Sequence, residues 1–169
     1  MQLAEVKNFT TAFLEHRPKI ILIRFLLLSF LAIWIFGFLL PVITILDNSL
    51  TNFFLVRIYS KVCHQENFKC ISIGSASMLV CARCAGIYFG GLIAGLSSLF
   101  IALPSTTRRV LFFALIPLIM DVSLTFTGVY SYSQFVAFAT GLTFGSVLYL
   151  LGISELENLF STKRYKMNE

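Results

Sequence analysis

Four long apolar runs divide the chain. Residues 25–46 hold 22 positions without a charge, and at about 1.5 Å per residue such a helix crosses a hydrocarbon core of about 30 Å. Pro41, near the far end, predicts a kink or a stop. A second uncharged run covers residues 85–103, and its apolar character reaches back through residues 78–80 despite Arg83. The third, residues 110–129, is broken only by Asp121, and the fourth covers residues 135–153. Lengths and hydropathies of this kind predict four membrane-spanning helices. The first run is too long for a signal-peptide core and no small-residue cleavage pattern follows it, so it reads as a retained anchor. The links 104–109 and 130–134 are short, which predicts antiparallel neighbours for spans two and three and for spans three and four. The expected fold is an all-α, integral membrane four-helix bundle. A single transmembrane domain occupies residues 25–153, preceded by an N-terminal segment 1–24 and followed by a basic tail 154–169.

The longest polar stretch is the connection 47–77. Inside it the segment NFFLVRIYSKV, residues 52–62, is too short to cross, yet Phe53, Val56, Tyr59 and Ser60 alternate with Arg57 and Lys61 at roughly helical spacing. That pattern predicts an amphipathic helix lying in the interface before the second span. Residues 9–19 predict the same on the other side. No internal repeat or low-complexity tract is visible.

Composition agrees with the pattern. The chain is 57% hydrophobic and 12% charged, with a mean hydropathy of +0.86, whereas soluble domains carry about a quarter charged residues. Lipid is therefore the solvent, and soluble, disordered and collagenous classes are excluded. The formal charge of +5 does not point to nucleic acid, because the basic residues flank the apolar runs and form no aromatic-interleaved face. Their distribution instead predicts direction. Lys7, Arg17, Lys19, Arg24, Arg108, Arg109, Lys163, Arg164 and Lys166 fall on one side, against Arg57, Lys61 and Lys69 on the other. The bias places both termini in the cytoplasm of a multi-pass plasma (inner) membrane protein and turns the 47–77 loop outward.

Chemistry concentrates in that loop. All four cysteines lie in one 22-residue window, Cys63, Cys70, Cys81 and Cys84. Cys81-x-x-Cys84 places two sulfurs on the same side of a turn, and Cys63-His64 offers two further donors from the loop, a set suited to zinc or another transition metal. A redox-active or stapling thiol–disulfide pair is the competing reading, since an outer compartment is oxidising. Burial of the thiols as small apolar groups is the third. Arg83, between the paired cysteines, favours thiolates, which the first two readings both require.

Along the second span Cys81, Cys84, Tyr88, Gly91, Gly95 and Ser98 form a small or polar stripe that must face protein. Gly86-x-x-x-Gly90 and Gly91-x-x-x-Gly95, with Gly141-x-x-x-Gly145 on the fourth span, predict close helix contacts, within the chain or between copies in a homo-oligomer. Asp121 is the costly residue: an ionisable group in a span needs a partner. Its depth, counted from Arg109, matches that of Tyr88 on an antiparallel neighbour, which predicts a Tyr88–Asp121 hydrogen bond; Arg83 reaches it only by a long extension. Pro117, one turn earlier, predicts a kink that turns Asp121 inward. Ser133, Gln134, Thr140, Thr143 and Ser146 read as interhelical glue.

Cys63-His64-Gln65, then Cys81-Ala82-Arg83-Cys84-Ala85-Gly86-Ile87-Tyr88 with Gly90, then Pro117 and Asp121, then Thr140-Gly141 and Gly145 resemble the prokaryotic membrane family known as domain of unknown function 2085. The resemblance covers about residues 58–146. It implies a small multi-span membrane protein and brings no established activity. Departures lie in the later half, where Asp121 is followed by Val122-Ser123 rather than Gly and Gln, and no Arg precedes Thr140-Gly141. The reading that follows is a membrane protein of uncharacterised activity whose outward Cys63, His64, Cys81 and Cys84 bind zinc, with Gln65, Arg83, Tyr88 and Asp121 as a supporting polar cluster. One alternative is a membrane thiol oxidoreductase using Cys81 and Cys84 with a quinone as electron sink. Another is an oligomeric carrier for an ion or anionic head group through Arg83 and Asp121. No nucleotide-binding loop, Ser-His-Asp arrangement or carboxylate pair is present, which argues against common kinase and hydrolase chemistries.

Overall fold

The structure, a computed structural model, describes residues 2–43, 49–73, 76–100 and 108–165. In chain order it holds α1 (Gln2–Ile43), α2 (Ser49–Tyr59), a 3-10 turn (Asn67–Lys69), β1 (Cys70–Ile73), β2 (Ala76–Cys81), α3 (Ala82–Phe100), α4 (Arg108–Phe126) and α5 (Gln134–Tyr165). Among the described residues four stretches are long and apolar enough to cross a membrane: Ile21–Ile43, Ala82–Phe100, Arg109–Phe126 and Gln134–Leu156. The all-α bundle is therefore present, and its outward-turned side chains are apolar, among them Phe30, Ile33, Phe113 and Phe135. Lipid contact accounts for such a surface, whereas water does not.

Boundaries differ from the expected ones for local reasons. Helix α1 runs past Pro41 to Ile43, and residues 44–46 of the expected span lie outside the described residues. Helix α3 begins at Ala82 rather than residue 85, because a β-hairpin delivers the chain to it at Cys81. This hairpin is an addition to the helical fold. Its strands pair antiparallel with Cys70 opposite Cys81 and Ser72 opposite Ser77, and a bulge lies between Cys70 and Ser72. The short amphipathic helix forms as α2, which turns Tyr59 inward and leaves Phe53, Phe54 and Ile58 exposed.

The order of neighbours also differs. Helix α3 packs along α5 and α1, and α4 packs against α5; α3 and α4, expected as a hairpin pair, do not pack along one another. Glycines on two faces of α3 explain this. A Cβ at Gly86 or Gly90 would overlap the carbonyl oxygens of Phe138 or Leu142 on α5, and one at Gly95 would overlap Leu28 of α1 and Tyr149 of α5. Gly141 and Gly145 meet the Arg83 and Ile87 carbonyls in return. These glycines thus meet helices of the same chain. At the end of the bundle away from the cysteines Arg24 Nη1 donates to the Ser98 carbonyl at 2.6 Å, which ties antiparallel α1 and α3 together.

At the opposite end lies the core: Ile35, Phe38, Tyr59, Cys63, Val80 and Ala85, with Trp34, Tyr88 and Phe89 packed around it. Tyr59 Oη donates to the Trp34 carbonyl at 2.7 Å, fastening α2 to α1 beneath the cysteine loop.

Candidate functional site

Three elements carry the cysteines to one place. Cys63 closes the turn after α2, its N–H donating to the Tyr59 carbonyl at 2.9 Å. Cys81 is the last residue of β2 and precedes α3, and Cys84 lies in the first turn of that helix. The sulfurs of Cys63, Cys81 and Cys84 all lie within 4.8 Å of one another. Backbone donors point at them. The Cys81 N–H donates to Cys63 Sγ at 3.2 Å. Cys81 occupies the capping position of α3, where a side-chain acceptor meets the unpaired N–H groups of the first turn.

That position sets the acidity of Cys81. The Cys84 thiol donates to Cys81 Sγ, as do the Cys84 and Arg83 N–H groups and the Cys63 thiol, and against the desolvation of burial they bring its pKa down to about 5. A thiolate at neutral pH follows. Cys70 has the opposite character. It faces Cys81 across the ladder and is 2% exposed, and burial, with the neighbouring Cys63, Cys81 and Glu66 adding to it, pushes its pKa up to about 11. Its sulfur is not one of the three. None of the four cysteines is in a disulfide.

His64, expected as the fourth ligand, is exposed and stands outside the sulfur group; Cys63 is turned into the core and the next side chain is turned away from it. Gln65 is near the cluster in another role. It takes a left-handed backbone, φ 51°, and its amide donates to the Leu79 carbonyl at 2.9 Å and to the Val56 carbonyl at 3.4 Å. It thereby holds the Cys63 loop against β2 and α2.

Asp121 is 4% exposed and does not bond Tyr88. Its two oxygens take Arg83 Nη2 and Tyr130 Oη. Tyr88 instead packs edge-on against Trp34 and beside Phe38, because α3 turns that face toward α1 rather than α4. The long reach of Arg83 is the contact made. Pro117 does lie within α4, one turn before the inward-facing Asp121. Residues not foreseen for the site come from the link before α5 and from its first residue: Tyr130, Tyr132 and Gln134. Gln134 Nε2 donates to the Cys70 carbonyl at 2.9 Å, and Tyr132 Oη lies 3.4 Å from the Lys69 carbonyl. Their place in or at the edge of the expected link 130–134, at the cysteine end of the bundle, was the available signal.

Comparison with known proteins agrees with this architecture. A family described as predicted membrane protein (DUF2085) matches residues 63–151, which is just over half of the chain and spans all three clustered cysteines. An uncharacterised protein of Methanocaldococcus jannaschii is 32% identical over 139 residues, 75% of this chain and 88% of the relative. No solved structure matches. The chain belongs to the DUF2085 family of predicted membrane proteins.

Proposed function

We propose that Cys63, Cys81 and Cys84 hold a transition metal, zinc by the chemistry of the donors, at the outer mouth of a multi-pass plasma-membrane protein with cytoplasmic termini. The observation that carries the reading is the convergence of three sulfurs within 4.8 Å. With Zn–S bonds of about 2.3 Å, a tetrahedral site requires sulfurs about 3.8 Å apart, so an inward movement of about 1 Å completes it. The N–H groups aimed at Cys81 and Cys63 stabilise thiolates and orient them, as outer hydrogen bonds do in metal sites. Three protein ligands leave a fourth position open to water or substrate, the coordination of a reactive rather than a closed structural site. Arg83 and Gln65 fix the two chain segments that bear the sulfurs.

A second reading is favoured by the lowered Cys81 thiol at the start of a helix with Cys84 one turn on. Such a thiolate–thiol pair closes to a disulfide by losing the one remaining thiol proton and passing two electrons to a quinone, which takes up two protons to become the quinol.

Metal analysis of detergent-solubilised protein with thiol alkylation separates the two. The metal reading expects one equivalent of zinc, Cys63, Cys81 and Cys84 shielded until a chelator is added, and loss of metal in Cys63→Ser. Metal-free protein with a Cys81–Cys84 disulfide that opens under mild reductant overturns it in favour of the dithiol.

A further inference from the structure

Beside the cysteine end, a cavity of about 630 Å³ lies between the 3-10 turn, the end of α4 and the link to α5. Its polar wall includes Lys69, Arg83, Tyr130 and Tyr132, and its apolar wall includes Phe68 and Phe126. Among the described residues no Asp or Glu lines it. The wall is therefore rich in donors, and its formal charges are positive.

The carboxylates nearby, Asp121 and Glu66, are not part of that lining and are occupied. Asp121 has one oxygen on Arg83 and the other on Tyr130, while Arg83 Nε is buried and has no hydrogen-bond partner. The guanidinium as a whole is only partly buried and lines the cavity, so Asp121 anchors it through Nη2 while its accessible part meets an entering acceptor. Lys69 is paired with Glu66 at 2.6 Å, but both side chains are about a third or more exposed, so an entering anion displaces a contact worth less than about 1 kcal/mol. Tyr132 is kept a neutral donor, burial pushing its pKa up to about 12.

The other wall decides the kind of anion. Phe126 is 90% and Phe68 66% exposed, and Phe126 ends a membrane-length helix, at the level where lipid head groups meet acyl chains. A free inorganic anion has no use for that surface, whereas an amphiphile covers it. We infer that this cavity binds the phosphate head group of an anionic lipid, with Arg83 and Lys69 on the phosphate oxygens, the tyrosine hydroxyls on the polar remainder and the chains along Phe126. The inference goes beyond the metal reading and does not depend on it.

The test uses full-length protein in detergent and dioctanoyl phosphatidylglycerol, dioctanoyl phosphatidylcholine and inorganic phosphate as probes, with affinity measured by native mass spectrometry. Phosphatidylglycerol is expected to bind about tenfold tighter than phosphatidylcholine, a difference of about 1.4 kcal/mol. Lys69→Gln is expected to lower that affinity about fivefold. The double variant R83Q/D121N, which removes the buried charge with its counter-charge so that folding is spared, is expected to abolish the preference. Equal binding of the two lipids, or unchanged affinity in both variants, overturns the site. Displacement of phosphatidylglycerol by inorganic phosphate at equal concentration overturns the lipid assignment in favour of the free anion.

Discussion

Helices α4 and α5 are both long apolar segments, yet they are held by opposite means. Helix α5 meets α3 backbone to backbone: Gly86 and Gly90 face the Phe138 and Leu142 carbonyls, and Gly141 and Gly145 face those of Arg83 and Ile87. Ser146 Oγ then donates to the Gly90 carbonyl at 3.0 Å. Helix α4 has no glycine and exposes Phe112, Phe113, Ile119 and Met120, and among its described side chains Asp121 is the one that is buried. Lipid tails are as apolar as leucine, so helices gain nothing by merely hiding oily faces from them. What remains is close approach or polar contact, and the two helices divide these between them. The glycine contact begins two residues after Cys84, so the closely approached pair is the one that bears this third sulfur.

Gly90→Leu is the hardest blow to this division. Its side chain would enter the Leu142 backbone, which cannot yield as a side chain can, and the expected loss exceeds about 3 kcal/mol. The check is the thermal midpoint and the monodispersity of the detergent-solubilised protein. Ile119→Ala on the exposed face of α4 should stay within about 0.5 kcal/mol. Equal effects would erase the contrast. Next in size is Asp121→Ala, which strands Arg83 in a partly buried place and is expected to cost about 2–3 kcal/mol. R83Q/D121N should recover most of that in the same thermal assay, because both charges leave together; a double variant as unstable as the single one would show that α4 is held by something else.

The division was half legible in the sequence. Four spans follow from run length alone, and Gly-x-x-x-Gly pairs announce close contacts, but spacing does not say which helix fills which groove. Short links favoured α4 as the neighbour of α3, whereas the matching glycines of α5 won that place. Tyr88 shared a depth with Asp121 yet faced another helix, since depth fixes one coordinate and rotation about the axis the other. The hairpin was written in Ile71, Ile73, Val80 and the Gly-Ser pair between them, a strand–turn–strand pattern hidden inside an apolar approach to a span. The cysteines were legible as a group because their spacing is local chemistry. His64 was not separable from Cys63 by sequence, since adjacent positions differ only in the direction the backbone turns them.

The smallest expected effect sharpens the comparison at the sulfur end. A free thiol titrates near 9, and Cys81 in the fold near 5, so the folded protein favours the thiolate more than the unfolded chain does. Its contribution to stability is complete above about pH 9 and is lost as pH falls toward 5. Cys70 runs the other way: with its pKa raised to about 11, its contribution is complete below about pH 9 and fades as pH rises to 11. Chelator-treated protein should therefore melt highest near pH 9. Since Cys81 is only partly buried, solvent screening limits the fall between pH 9 and pH 5 to about 5 °C. Cys81→Ser should flatten that acid limb and Cys70→Ala the alkaline one, while R83Q/D121N, which alters the hold on α4, should lower the whole curve and leave its shape. A wild-type midpoint constant from pH 5 to pH 9 would mean that the helix start does not hold a thiolate, and the distinction between a chemically active α3 and a charge-tethered α4 would fail at its active end.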